Sequence, residues 1–89
     1  MAWMVKYLPK ADKSLRKMDK QTSKLILDRM DEIAALNDPR SRGKALEGTL
    51  TGFWRYRING YRVICSIEDS ELVILAVSVD HRSKVYKRH

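Results

Sequence analysis

Asn59-Gly60 lies between two alternating stretches, Trp54-Arg55-Tyr56-Arg57-Ile58 and Tyr61 to Ile67, and no other feature of the chain constrains its fold so tightly. A type I′ hairpin turn needs φ > 0 at both central residues, and Asn-Gly is the pair that adopts it most readily. The expected structure is an antiparallel hairpin with Ile58 opposite Tyr61, Arg57 opposite Arg62, Tyr56 opposite Val63 and Arg55 opposite Ile64. Strand periodicity then assigns Trp54, Tyr56, Ile58, Tyr61, Val63, Cys65 and Ile67 to one face and Arg55, Arg57 and Arg62 to the other. Like charges directly opposite in a sheet destabilise it by up to about 1 kcal/mol, so an Arg57–Arg62 pair has no value to the fold. An anionic ligand would explain it.

The remaining segments supply what such a hairpin packs against. Trp3, Val5 and Tyr7 alternate with Met4, Lys6 and Leu8 as a short first strand, and Pro9 suits a helix's first turn. Ala11, Leu15 and Met18 form one apolar stripe, Asp19 reads as break and cap, and Ile26, Met30, Ile33 and Leu36 mark a longer amphipathic helix from about residue 20 to Asn37. Asp38-Pro39 ends it, and residues 39–52 read as a loop. After Tyr61 to Ile67, a turn at Asp69-Ser70 leads to a third strand, Leu72 to Val79, apolar on both faces and hence expected to be interior. That register puts Val77 opposite Arg62 and delivers Asp80-His81-Arg82 to the arginine edge. It leaves Ile64, Val73, Leu75 and Val77 as an apolar patch for a partner or the folded tail to cover. The fold class is α+β, ordered β-α-α-β-β-β.

Charge narrows the function. The 89 residues carry 18 Lys or Arg against 11 Asp or Glu, a formal charge of +7. Seven basic side chains fall within residues 1–24 against Asp12 and Asp19, which reads as solvated helix face that also attracts polyanions. The chain is expected to be a single domain spanning residues 1–89, too short for a large cofactor fold. It has no apolar run suited to a membrane span or signal peptide. Cys65 is the single cysteine, and no Cys/His spacing resembles a zinc site, so a reducing compartment and a metal-free, cofactor-free domain are expected. Arg82 is a fourth convergent cation, and Tyr86 supplies an aromatic platform for base stacking. His81 has at most a minor acid/base role, and His89 less.

Three segments, "LPKADKSLRKMDKQTSKLI", "KALEGTLTGFWRYRINGYRVI" and "VSVDHRSKVYKR", resemble the RelE/ParE superfamily of bacterial type II toxins, and its RelE branch in particular. The resemblance covers nearly the full length. It implies a RelE-like fold, a small antiparallel sheet with a helical hairpin on one face, and an activity, ribosome-dependent and metal-independent cleavage of mRNA in the ribosomal A site. It assigns the family's basic pair to Arg55 and Arg57, its strand arginine to Arg62, its post-strand arginine to Arg82 and its tail tyrosine to Tyr86. Arg57, Arg62, Arg82 and Tyr86 are then the catalytic set, with Arg55, Lys44 and Lys84 holding RNA. The best-known RelE proteins carry lysines where this chain has Arg55 and Arg57, and arginine is a poor proton acceptor. Some relatives place a glutamate base where Lys44 stands, and Glu47 is out of step, so no carboxylate base is assigned. The implied partners are a RelB-like antitoxin in a hetero-oligomer, the ribosome and mRNA, with no membrane and a cytoplasmic location. The rival readings are a ParE-like inhibitor of DNA gyrase and a non-catalytic RNA- or ribosome-binding domain.

Overall fold

A computed structural model describes residues 3–81. Strand β1 (Met4–Tyr7) leads into helix α1 (Pro9–Lys17) and helix α2 (Lys20–Ala34), followed by β2 (Lys44–Ala45), β3 (Trp54–Ile58), β4 (Tyr61–Glu68) and β5 (Val73–His81). Pro9 starts α1, where its missing N–H costs nothing. At the start of α2 the Asp19 carboxylate accepts hydrogen bonds from the Thr22 N–H at 3.0 Å and the Thr22 hydroxyl at 2.8 Å. Those two bonds, the hydroxyl's first, hold the Asp19 carboxyl below its ordinary pKa. The second helix stops at Ala34 rather than Asn37.

The sheet has five strands in the order β1-β5-β4-β3-β2. It is mixed rather than wholly antiparallel, because β1 runs parallel to β5, with Val5 beside Ile74 and Tyr7 beside Ala76. That pairing joins the two ends of the chain and leaves no local signal. β5 is interior, as its two apolar faces imply. The 39–52 segment is more ordered than a plain loop: it contains 3₁₀ turns at Pro39–Ser41 and Gly48–Leu50, and β2 pairs Lys44 with Arg55 and Ala45 with Trp54.

Ala11 and Leu15 of α1 and Ile26, Met30, Ile33 and Ala34 of α2 pack on Tyr56, Ile58, Val63, Cys65, Ile74, Ala76 and Val79 of the sheet. Trp54 and Tyr61 border this core, as their strand positions predict. Cys65 is fully enclosed, and burial pushes its thiol up to about 12. Of the apolar patch on the other face, Ile64 and Val73 are buried, each 7% exposed, whereas Leu75 and Val77 are only partly buried.

Candidate active site

The β3–β4 hairpin has the register that its sequence dictates. Asn59 and Gly60 take φ of 51° and 81°, and Arg57 pairs with Arg62, Tyr56 with Val63 and Arg55 with Ile64. Because Tyr56, Ile58, Val63 and Cys65 are committed to the core, Arg55, Arg57 and Arg62 are turned to the opposite face. Arg57 is exposed and Arg62 half-buried. The Arg62 Nε is buried with no hydrogen-bond partner. A guanidinium nitrogen withdrawn from water and left unpaired is costly to the fold, and an anion at this face would remove that cost.

Lys44 joins the same face through β2, opposite Arg55. Contacts on the helix side of the sheet hold it there. The Tyr56 hydroxyl donates to the Pro39 carbonyl at 2.8 Å, and the Trp54 Nε1–H donates to the Arg42 carbonyl at 2.7 Å. Burial raises the Tyr56 phenol well above its usual pKa, so this donor stays protonated. Between them the chain passes the β3 backbone at Gly43, where φ is +80°. A Cβ there would press on the Arg55 carbonyl oxygen and lie 2.6 Å from Trp54 Nε1 and 2.8 Å from Tyr56 Cδ1. Arg40 anchors the segment from the other end: its guanidinium makes two hydrogen bonds of 2.9 Å to the Asp69 carboxylate in the β4–β5 turn. That pairing lowers the Asp69 pKa and raises that of Arg40. Around the β3 edge, Arg29 and Arg42 border a hollow of about 100 Å³ with Arg57, extending the positive surface.

The third strand departs from expectation. The β4–β5 turn takes four residues, Asp69 to Leu72, so that Glu68 pairs with Val73, and a bulge follows where Ile64 pairs with Ser78 but Cys65 with Ala76. Val77 is therefore not opposite Arg62. Asp80 is. Sequence reasoning brought Asp80 to the arginine edge but not opposite Arg62, because the bulge has no sequence marker. His81 pairs with Tyr61, their rings edge-on with centroids 5.0 Å apart, and so falls on the helix side. There it borders a cleft of about 360 Å³ with Lys10, Lys13 and Lys17 of α1. The structure thus brings Lys44, Arg55, Arg57 and Arg62 to one face and places His81 on the other. Arg82, Lys84 and Tyr86 lie outside the described residues.

Residues 5–86 match the model of the ParE toxin of the type II toxin–antitoxin system parDE. The chain belongs to this toxin family. No curated protein matches the sequence. Among solved structures, the toxin–antitoxin complex RelBE2 of Mycobacterium tuberculosis superposes with a TM-score of 0.83 at 23% identity, over 93% of this chain and 94% of that one. The archaeal RelE–RelB complex of Pyrococcus horikoshii gives 0.74 at 28% identity, over 94% and 99%. The isolated E. coli RelE toxin gives 0.70 at 21% identity, over 96% and 92%. The fold is that of the RelE/ParE superfamily, two helices on a five-stranded sheet.

Proposed function

We propose that this type II toxin is a ribosome-dependent, metal-independent endoribonuclease that cleaves mRNA in the ribosomal A site. The observation that carries this reading is the pairing of Arg57 with Arg62 one row away from Arg55 and Lys44, on a sheet face the core does not need. Four cations on adjacent rows suit a phosphate whose charge grows during reaction. The ribose 2′-oxygen attacks the adjacent phosphorus in line, leaving a 2′,3′-cyclic phosphate and a free 5′-hydroxyl. Arg57 and Arg62 stabilise the phosphorane oxygens, and Arg55 and Lys44 grip the flanking backbone. By resemblance, Arg82 acts near the leaving 5′-oxygen, Tyr86 stacks on a base and Lys84 holds RNA. Fixing the nucleotide for in-line attack is worth several kcal/mol, and the ribosomal A site supplies that constraint.

A cognate antitoxin completes the assignment. The solved relatives from M. tuberculosis and P. horikoshii are toxin–antitoxin complexes, and an acidic segment would neutralise the arginine face. The cytoplasm, where ribosomes reside, is the matching location, and among the described residues no helix is long and apolar enough to cross a membrane.

Primer extension on a translated and an untranslated message tests the reading. Cuts within codons, only on the translated message, are the expected result. Arg62→Ala should reduce them by about 10²–10³-fold, the usual cost of removing one transition-state charge stabiliser, without lowering the melting temperature. The matching family model is that of ParE toxins, which favours gyrase as the second reading. Intact RNA with inhibited DNA supercoiling would select it.

A further inference from the structure

An all-cation site leaves the attacking 2′-hydroxyl without a proton acceptor, since arginine stays protonated. Among the described residues, the strand rows through Arg55, Arg57 and Arg62 contain one carboxylate, Asp80, paired with Arg62. Residues opposite one another on antiparallel strands share a face, so Asp80 stands beside Arg62 as Arg57 does on the other side. Val79 before it is in the core, and Asp80 shares the rim of the α1 cleft with His81, so the pairing with Arg62 is what sets its face. If Asp80 served to neutralise Arg62, the two would close an ion pair. They do not: Arg62 Nε is buried and unpartnered, and Asp80 makes neither an ion pair nor a hydrogen bond among the described residues. Glu68 lies six residues from Arg62 along β4, about 20 Å away, and accepts from the Ser66 hydroxyl. Glu47 precedes the Gly48–Leu50 turn and belongs to no strand.

Resting on the ribonuclease reading above, we propose that Asp80 is the general base of the cleavage reaction. The 2′-oxygen gives its proton to the Asp80 carboxylate as the O2′–P bond forms. The P–O5′ bond breaks, the leaving 5′-oxygen takes a proton from water, and Asp80 returns its proton to solvent. The charged groups facing Asp80 are Arg62 and Arg57 across the sheet, His81 beside it, and Lys10, Lys13 and Lys17 on α1 at the shared rim.

The test is single-turnover cleavage by wild type, Asp80→Asn and Asp80→Glu on programmed ribosomes across pH, with binding to a message carrying 2′-deoxyribose at the cut site as the second readout. Asp80→Asn should cleave about 10²–10⁴-fold more slowly, the usual span for a lost general base, and lose the acidic limb of the rate–pH profile. It should bind the 2′-deoxy message as tightly as wild type or tighter, and Asp80→Glu should recover part of the rate. Cleavage by Asp80→Asn within threefold of wild type overturns the assignment and leaves the ribonuclease reading standing. So does a rate loss matched by an equal loss of binding, which would make Asp80 a positioning residue. A wild type that cuts no message overturns both.

Discussion

A side chain at position 43 would have to displace the β3 backbone or the indole of Trp54, because the Arg55 carbonyl, Trp54 Nε1 and Tyr56 Cδ1 already occupy its space. Gly48 offers a control, with a similar φ of +67° and nothing within 4 Å of a Cβ. Gly48→Ala should therefore cost only the left-handed backbone penalty, about 1 kcal/mol, whereas Gly43→Ala adds a steric term and should cost about 2–4 kcal/mol. Urea titration of the two variants measures the difference. Gly43→Ala should also slow cleavage more than its stability loss explains, since it moves Lys44 away from Arg55. Sequence reading saw only loop glycines at both places. The distinction depends on Trp54 and Tyr56, whose approach to residue 43 is a tertiary fact, whereas the arginine face followed from periodicity and one turn.

Between elements, the legible and illegible parts divide at the turns. Asn59-Gly60 fixes its hairpin because its backbone preference and its length agree. Asp69-Ser70 offered the same kind of signal, yet the chain continues to Leu72, a non-glycine residue at φ 56°, before β5 begins. That change of two residues keeps Val73 and Leu75 on the arginine face. The bulge then adds one more residue, and an odd step exchanges the faces, so Asp80 rather than Val79 meets Arg62. Helix boundaries were more accessible because caps are local: Asp19 was readable as a cap, and it is one. Its pKa is depressed in the fold, as is that of Asp69, so near their titration range the unfolded state binds more protons. Their stabilisation is present above the ordinary aspartate range and is lost as pH falls through the lowered values. Asp19→Ala should accordingly melt below wild type at pH 7, and the gap should shrink progressively on acidification, as thermal melts followed by circular dichroism would record.

Across the whole molecule, the sheet separates two kinds of positive charge. Arg55, Arg57, Arg62 and Lys44 occupy the face away from the helices, in register, whereas Lys10, Lys13 and Lys17 line a cleft on the helix side whose rim Asp80 shares. A net +7 on 89 residues reports both without distinguishing them. The strand order that separates them includes a parallel β1–β5 pair formed between the chain's two ends, which periodicity cannot show. The two groups should act on different steps. Exposed helix lysines make long-range, screened contacts that accelerate and tighten docking on a polyanion without sensing the transition state. Arginines beside the reacting phosphate gain their interaction as charge develops there. Lys13→Glu/Lys17→Glu should raise the KM for programmed ribosomes several-fold at low salt and flatten the dependence of log KM on log salt, with a much smaller loss of kcat than an arginine variant shows. Arg57→Ala should do the opposite, lowering kcat by about 10²-fold with a smaller change in the salt slope. Steady-state cleavage at two or three salt concentrations resolves the two patterns, and a kcat loss in the lysine variant as large as that of Arg57→Ala would assign the helix side of the sheet to the reacting site as well.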